Sequence, residues 1–140
     1  MKQNKGFTLI EMLVVVGMIG VLAAAVLTAL GPSRQKARDA RVISGLNQIA
    51  AIAETGFNGN SYPADLAAIK ALSGGTTVVD DVKAIAGSDP TYSIGAANSA
   101  TFAVSSVLPS GGSYCVDSSG KRSAGSVSAK GACQVEANNK

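Results

Sequence analysis

Polar and apolar positions divide this chain into three regimes. From Phe7 to Leu30 the side chains are apolar or small apart from Thr8, Glu11 and Thr28, so the stretch lacks the polar face of a surface helix. About two dozen residues at a rise of roughly 1.5 Å each would cross a hydrocarbon layer of about 30 Å. Gly31-Pro32-Ser33 then interrupts the pattern, and a proline there kinks a helix or begins another; one kinked helix is expected. Beyond it Ala40, Ile43, Leu46, Ala50 and Ala53 share one face. Arg38, Arg41, Ser44, Asn47, Gln48 and Glu54 lie largely elsewhere, which predicts an amphipathic helix supporting a head.

The third regime is shorter in period. Gly56 to Asn60 ends the long helix, and Ser61-Tyr62-Pro63-Ala64-Asp65 opens a short one, with Pro63 near its first turn, that runs to about Ala71. Ser73-Gly74-Gly75 stops it. Thr91 to Ile94, Thr101 to Val107 and Ser113 to Asp117 carry β-branched or aromatic residues with partial alternation, predicting a small antiparallel meander. Ser118-Ser119-Gly120 reads as a turn, and the loop through Lys121, Arg122 and Lys130 as solvated and slightly basic, the expected outward contact surface. The fold class is α+β: a long N-terminal helix, half spanning and half amphipathic, packed on a small antiparallel sheet. The expected divisions are 1–6, a leader; 7–30, the spanning helix; 31–55, the amphipathic half; and 56–140, the head.

One carboxylate stands inside the apolar run. Burying Glu11 in lipid is costly, so it needs a partner and is by default a functional position. Here a resemblance becomes specific. Lys5-Gly6-Phe7-Thr8-Leu9-Ile10-Glu11, led by a very short basic peptide and followed by Met12-Leu13-Val14-Val15-Val16, resembles the prepilin processing and methylation motif of type IV pilins and pseudopilins. The match covers about the first thirty residues; the remainder resembles the family in layout alone. It implies that a prepilin peptidase and methyltransferase cuts between Gly6 and Phe7 and methylates the new terminus. It also implies that Glu11 is drawn to the terminal amine of an adjoining subunit during assembly, where low dielectric favours a registered pair. A pairing within one chain between Phe7 and Glu11, four residues apart, and a glutamate resting at the headgroup boundary are the other readings. Gly20, Ala24 and Thr28 form a small-residue face on which spanning helices could approach closely, although plain lipid-facing filler explains them as well.

Composition narrows the function. A chain of 140 residues with net charge +3 loses two of its positive charges if Lys2 and Lys5 leave with the leader, so a dedicated nucleic-acid binder is disfavoured, though nucleic acid remains a possible minor partner. With no histidine and only two cysteines, the usual general base and zinc-ligand clusters are missing. Asp65, Asp80, Asp81, Asp89 and Asp117 are spread among expected turns, with Asp80 and Asp81 taken as a solvated turn, so no catalytic residue, metal site or cofactor is assigned. Cys115 and Cys133 in an exported head read as one disulfide, and two reduced buried thiols are the alternative. Arg34, Lys36, Arg38 and Arg41 outnumber Lys2 and Lys5, so counting positive charges puts the head in the cytoplasm. The resemblance and the disulfide reading put it outside, with the basic cluster meeting lipid headgroups or carboxylates such as Asp39.

The resemblance thus implies a non-enzymatic structural subunit held in the bacterial inner membrane and then assembled into an extracellular pilus or a periplasm-spanning pseudopilus. Its partners would be identical or related subunits, the processing enzyme, an inner-membrane assembly platform and lipid. Adhesion, motility, DNA uptake and type II protein secretion share the amino-terminal motif; the cysteine pair favours a pilus. A membrane-anchored binding module that never polymerises, and a secreted protein cut near Ala23 to Ala25, are the alternatives.

Overall fold

The computed structural model describes residues 6–95, 100–128 and 131–135. In chain order these form helices α1 (Leu9–Thr55), α2 (Leu66–Ala71) and α3 (Gly75–Ala86), then strands β1 (Thr91–Ile94), β2 (Phe102–Val107), β3 (Ser113–Asp117), β4 (Arg122–Val127) and β5 (Cys133–Val135). The leader residues ahead of Gly6, and Lys130 of the expected contact loop, lie outside the described residues. The chain divides into two units, Met1–Arg34 and Gln35–Lys140.

The first unit is the apolar part of α1. Every described residue in it is exposed, and the helix is long and apolar enough to cross a membrane. Pro32 lies inside α1, so the chain stays helical through Gly31-Pro32-Ser33. A proline there forfeits its own hydrogen bond to the carbonyl four residues back.

The second unit has its own core. Val42, Leu46, Ile49 and Ala53 of α1 are buried with Ile69 of α2, Val79 and Val82 of α3, Phe102 and Val104 of β2 and Val116 of β3. The α+β layering matches expectation, but the buried face of α1 is turned from the predicted one. Ala40 is exposed and Ile43 and Ala50 are half-buried, while Val42, Gly45 and Ile49 are buried. Gly45 explains the turn. A Cβ on it would sit 2.3 Å from Val82 Cγ2, so only glycine lets α3 close this tightly on α1.

Two elements correct the sequence pattern on the helical side. Asp65 is the N-cap of α2, accepting from the Ala68 N–H at 2.8 Å, so the short helix starts after Pro63 and Ala64. The whole of α3 occupies a stretch to which no element was assigned. Its Thr76-Thr77-Val78-Val79 opening is β-branched and hides a helical spacing in which Gly75, Val79 and Val82 are buried. Asp80 and Asp81 therefore stand on a helix, each in an ion pair, and not in a solvated turn.

The sheet order is β1-β2-β3-β4-β5, antiparallel throughout. The first three strands match the predicted meander. Arg122, expected in a loop, begins β4, whose Arg122 to Ala124 pair with β3 and whose Gly125 to Val127 pair with β5. At that changeover the sheet curls over its own outer face. Ala103 of β2 and Cys115 of β3 point away from the main core yet are 0% exposed, packed with Cys133 and Val127 in a second small core. The curl carries the β4–β5 turn to the end of β1, where a Cβ on Gly131 would lie 2.5 Å from the Gly95 nitrogen.

Gly45→Ala is expected to destabilise the head by about 1–2 kcal/mol, the cost of overpacking exceeding the roughly 1 kcal/mol that alanine gains in a helix interior. Thermal or denaturant unfolding of the purified protein in detergent measures it. In a Val82→Ala background the same change should become neutral or stabilising, and additive effects of the two substitutions would show that the close approach is not what Gly45 serves.

Candidate processing and assembly site

The candidate site begins where α1 begins. Gly6, Phe7 and Thr8 precede the helix without regular structure, and a Cβ on Gly6 would meet nothing within 4 Å. Phe7 is 78% exposed. An enzyme approaching the Gly6–Phe7 bond therefore meets open backbone followed at once by helix.

Glu11 has a partner within the described residues, and it is Thr8. The Thr8 N–H donates to Glu11 Oε2 at 2.8 Å and the Thr8 hydroxyl donates to the same oxygen at 2.7 Å. In return the Glu11 N–H donates to Thr8 Oγ1 at 3.3 Å. This is a reciprocal capping box: Thr8 is the N-cap, and the glutamate three residues on satisfies a donor that the helix end would leave orphaned. The carboxylate also lies in the first turn, where the helix dipole favours negative charge. Thr8 is the functional residue that the sequence reading passed over. Its signal was present in the Thr-x-x-Glu spacing of Thr8-Leu9-Ile10-Glu11, overshadowed by the family motif occupying the same residues.

Only one carboxylate oxygen takes these bonds. Among the described residues Oε1 receives no hydrogen bond, so Glu11 is oriented by Thr8 with one oxygen still available. Thr28, the other polar side chain of the run, donates to the Ala25 carbonyl at 2.9 Å and needs nothing from outside. The apolar surface carries shallow troughs bordered by Gly17, Met18, Val21 and Leu22 and by Ile19, Leu22, Ala23, Val26 and Leu27.

At the far end of the chain Cys115 and Cys133 are joined in a disulfide, with Cα atoms 5.7 Å apart. The bridge joins β3 to β5, which no ladder among the described residues connects, and so ties the curled hairpin onto the outer face of the sheet. Asp117, 7% exposed, locks the same place. Its Oδ1 accepts from the Ser119 N–H at 3.0 Å, the Ser119 hydroxyl at 2.5 Å and the Lys121 N–H at 3.1 Å, and its Oδ2 from the Cys133 N–H at 3.2 Å. Burial pushes this carboxyl up, but the bonds from Ser119, Cys133 and Lys121 outweigh burial and hold it below its usual range.

The basic cluster is divided by the fold. Arg41 makes a two-pronged pair with Asp81, Nη2 to Oδ1 at 2.5 Å and Nε to Oδ2 at 3.1 Å. Asp39, the carboxylate expected beside the cluster, instead accepts from the Ser110 N–H at 3.0 Å in the β2–β3 loop. Lys36 and Arg38 are exposed. The scattered aspartates are not brought together: Asp80 pairs with Lys70, Asp89 with Lys83, and among the described residues no group of three potential metal ligands forms.

Residues 1–27 match the prokaryotic N-terminal methylation motif. The chain is also 38% identical over 73 residues to the type IV wide pilus major component PilA4 of Thermus thermophilus. That alignment covers 51% of this chain and 56% of the relative, so the match spans little more than half of that protein. No solved structure matches the chain.

Because the Asp117 carboxyl is depressed in the folded state, its contribution is present in full above the ordinary carboxylate range and is lost as pH falls through its lower folded value. Asp117→Asn is therefore expected to cost about 1–3 kcal/mol at neutral pH. Unfolding followed from pH 7 to pH 3 should show the gap to wild type narrowing on the acid side. A gap independent of pH would mean that the charge of Asp117 contributes nothing.

Proposed function

We propose that this chain, a protein of the type IV pilin family by its amino-terminal methylation motif and its relation to a pilus component, is a structural subunit of a type IV pilus-like filament. In this reading it waits in the bacterial inner membrane with its head outside the cytoplasm, is cut after Gly6, is methylated at Phe7, and enters the filament through its apolar helix. The observation that carries the proposal is a helix whose apolar side chains from Phe7 to Leu30 are exposed, headed by a carboxylate oriented by Thr8. The disulfide supports an oxidising location for the head.

The proposed role of Glu11 follows from its two oxygens. Before the cut, Phe7 contributes only an amide. Cleavage turns that amide nitrogen into an amine, and methylation leaves it protonated and charged. In a medium of low dielectric, Glu11 and such an amine on an adjoining subunit attract strongly, and each is costly to leave unpaired. Thr8 holds Oε2, and among the described residues Oε1 takes no hydrogen bond, so one capped helix can be engaged without first breaking its own cap. Subunit register then follows from the position of one charge. A pilus is favoured over the pseudopilus of a secretion system because the relative is a pilus major component.

Two outcomes test this reading. Gly6→Val should accumulate uncut precursor, because a branched side chain obstructs the scissile bond, and intact-mass measurement of the wild type should find a methylated Phe7 at the amino terminus. A wild type that retains Met1 would instead indicate an anchored module that does not polymerise. Glu11→Ala should leave processing intact but reduce incorporation into surface filaments at least tenfold, as scored by electron microscopy and by shearing filaments from cells. Unchanged incorporation would remove Glu11 from the assembly mechanism.

A further inference from the structure

Arg34, Lys36, Arg38 and Arg41 contradict the charge rule for a head outside the cytoplasm, and among the described residues the fold supplies a carboxylate to one of them, Arg41. Arg41 is held by Asp81 and lies against the head. The carboxylate best placed by sequence to neutralise the others, Asp39, has its Oδ1 directed to the backbone of Ser110. Gln35 to Arg38 are exposed, while Asp39 is half-buried and Val42 buried, so the head begins to cover α1 only after Arg38. At about 100° per residue, Lys36 and Arg38 project about 200° apart, on opposite sides of the helix. Two cations on opposite sides form a collar. A rigid partner surface could meet only one side of it, whereas a layer of headgroups pierced by a helix presents phosphate on every side.

Sequence distance places the backbone of the collar just outside that layer, from where the long stems of Lys36 and Arg38 reach back into it. Lys36 is the sixth residue after Leu30, the end of the apolar run, a helical rise of about 9 Å, with Arg38 at about 12 Å. The headgroup region adds roughly 5–8 Å to each side of the hydrocarbon core, and the Debye length adds about 8 Å beyond it.

We propose that Lys36 and Arg38 form a phosphate-binding collar that seats the unassembled subunit on anionic phospholipid headgroups at the outer surface of the membrane. This rests on the membrane-held state proposed above. The collar steadies the subunit at a fixed depth before extraction, and it accounts for basic residues on the side of the membrane where charge counting disfavours them.

The test uses the intact protein in vesicles of phosphatidylcholine alone and with about one-third phosphatidylglycerol, treated with a water-soluble amine-acylating reagent and read by peptide mass spectrometry. Acylation needs the neutral amine, and a negative surface keeps a nearby lysine protonated. Lys36 should react about three- to sevenfold more slowly in the anionic vesicles, while Lys121 in the β3–β4 turn serves as the reference. Arg38→Lys should report comparable slowing at position 38, and about 1 M salt should abolish both effects. Equal rates at Lys36 in the two vesicles, or slowing that survives high salt, would overturn the collar. Slowing in phosphatidylcholine vesicles on adding duplex DNA, equal to that from phosphatidylglycerol, would reassign the cations to nucleic acid. Vesicle flotation keeps the two readings apart. A protein that fails to float with either vesicle contradicts the membrane-held state, and one that floats without slowing contradicts the collar alone.

Discussion

A run of exposed apolar side chains along the first unit is the constraint on which the rest depends. Fifteen large hydrophobic side chains between Phe7 and Leu30 are 40–82% exposed. At roughly 1.5 kcal/mol for each side chain taken out of water, covering them is worth on the order of 20 kcal/mol, more than a typical domain's whole stability of about 5–15 kcal/mol. No rearrangement of so small a head offers an equivalent surface. Lipid and other chains are the covers the proposed function invokes in succession, and in that proposal Glu11, held by Thr8, is the polar group that distinguishes them.

That signal is already built when the helix forms. A free carboxylate in an apolar run would be a large penalty waiting for assembly to relieve it. The capping box lowers the penalty beforehand by giving Glu11 two donors from Thr8 and giving the helix end an acceptor in return. In the proposed assembly there is then less to recover from the pair, but a carboxylate whose position is fixed is gained. The proposed pairing is therefore one of register more than of raw affinity, as a geometrically specified charge contact tends to be.

Much of this was legible in the sequence, and what was not has physical causes. The apolar run, the break at Gly56 and the first three strands followed from strong local patterns: an unbroken hydrophobic stretch, glycine and asparagine, and alternation. The disulfide was legible because two cysteines admit one pairing. The buried face of α1 was not, because Ala40 and Ala50 carry too little apolar surface to outvote packing, and Gly45 contributes by lacking a side chain. Helix α3 was hidden by β-branched residues at its start. β4 and β5 were hidden because Ser123, Gly125 and Ser126 have weak strand preference, and a disulfide with the Asp117 cradle holds the hairpin in place instead of hydrophobic alternation. Of the candidate site, Gly6, Phe7 and Glu11 were named by motif, whereas Thr8 required asking where the backbone donors at a helix start find acceptors.

The head's construction bears on how the chain can change surroundings at all. Its main core starts at Val42, and its second core is closed by Cys115 and Cys133. Both cores are built from described residues of the second unit. In the proposed transfer of the run from lipid to neighbouring helices, a head packed in this way keeps its own cores. A head that borrowed part of its core from the run would have to reopen during extraction, exposing strand edges when the local concentration of identical chains is highest. The disulfide and the Asp117 cradle remove the remaining weak point by fastening the last strand, which is only three residues long. A head that carries its own cores suits the proposed sequence of membrane anchor first and filament subunit afterwards.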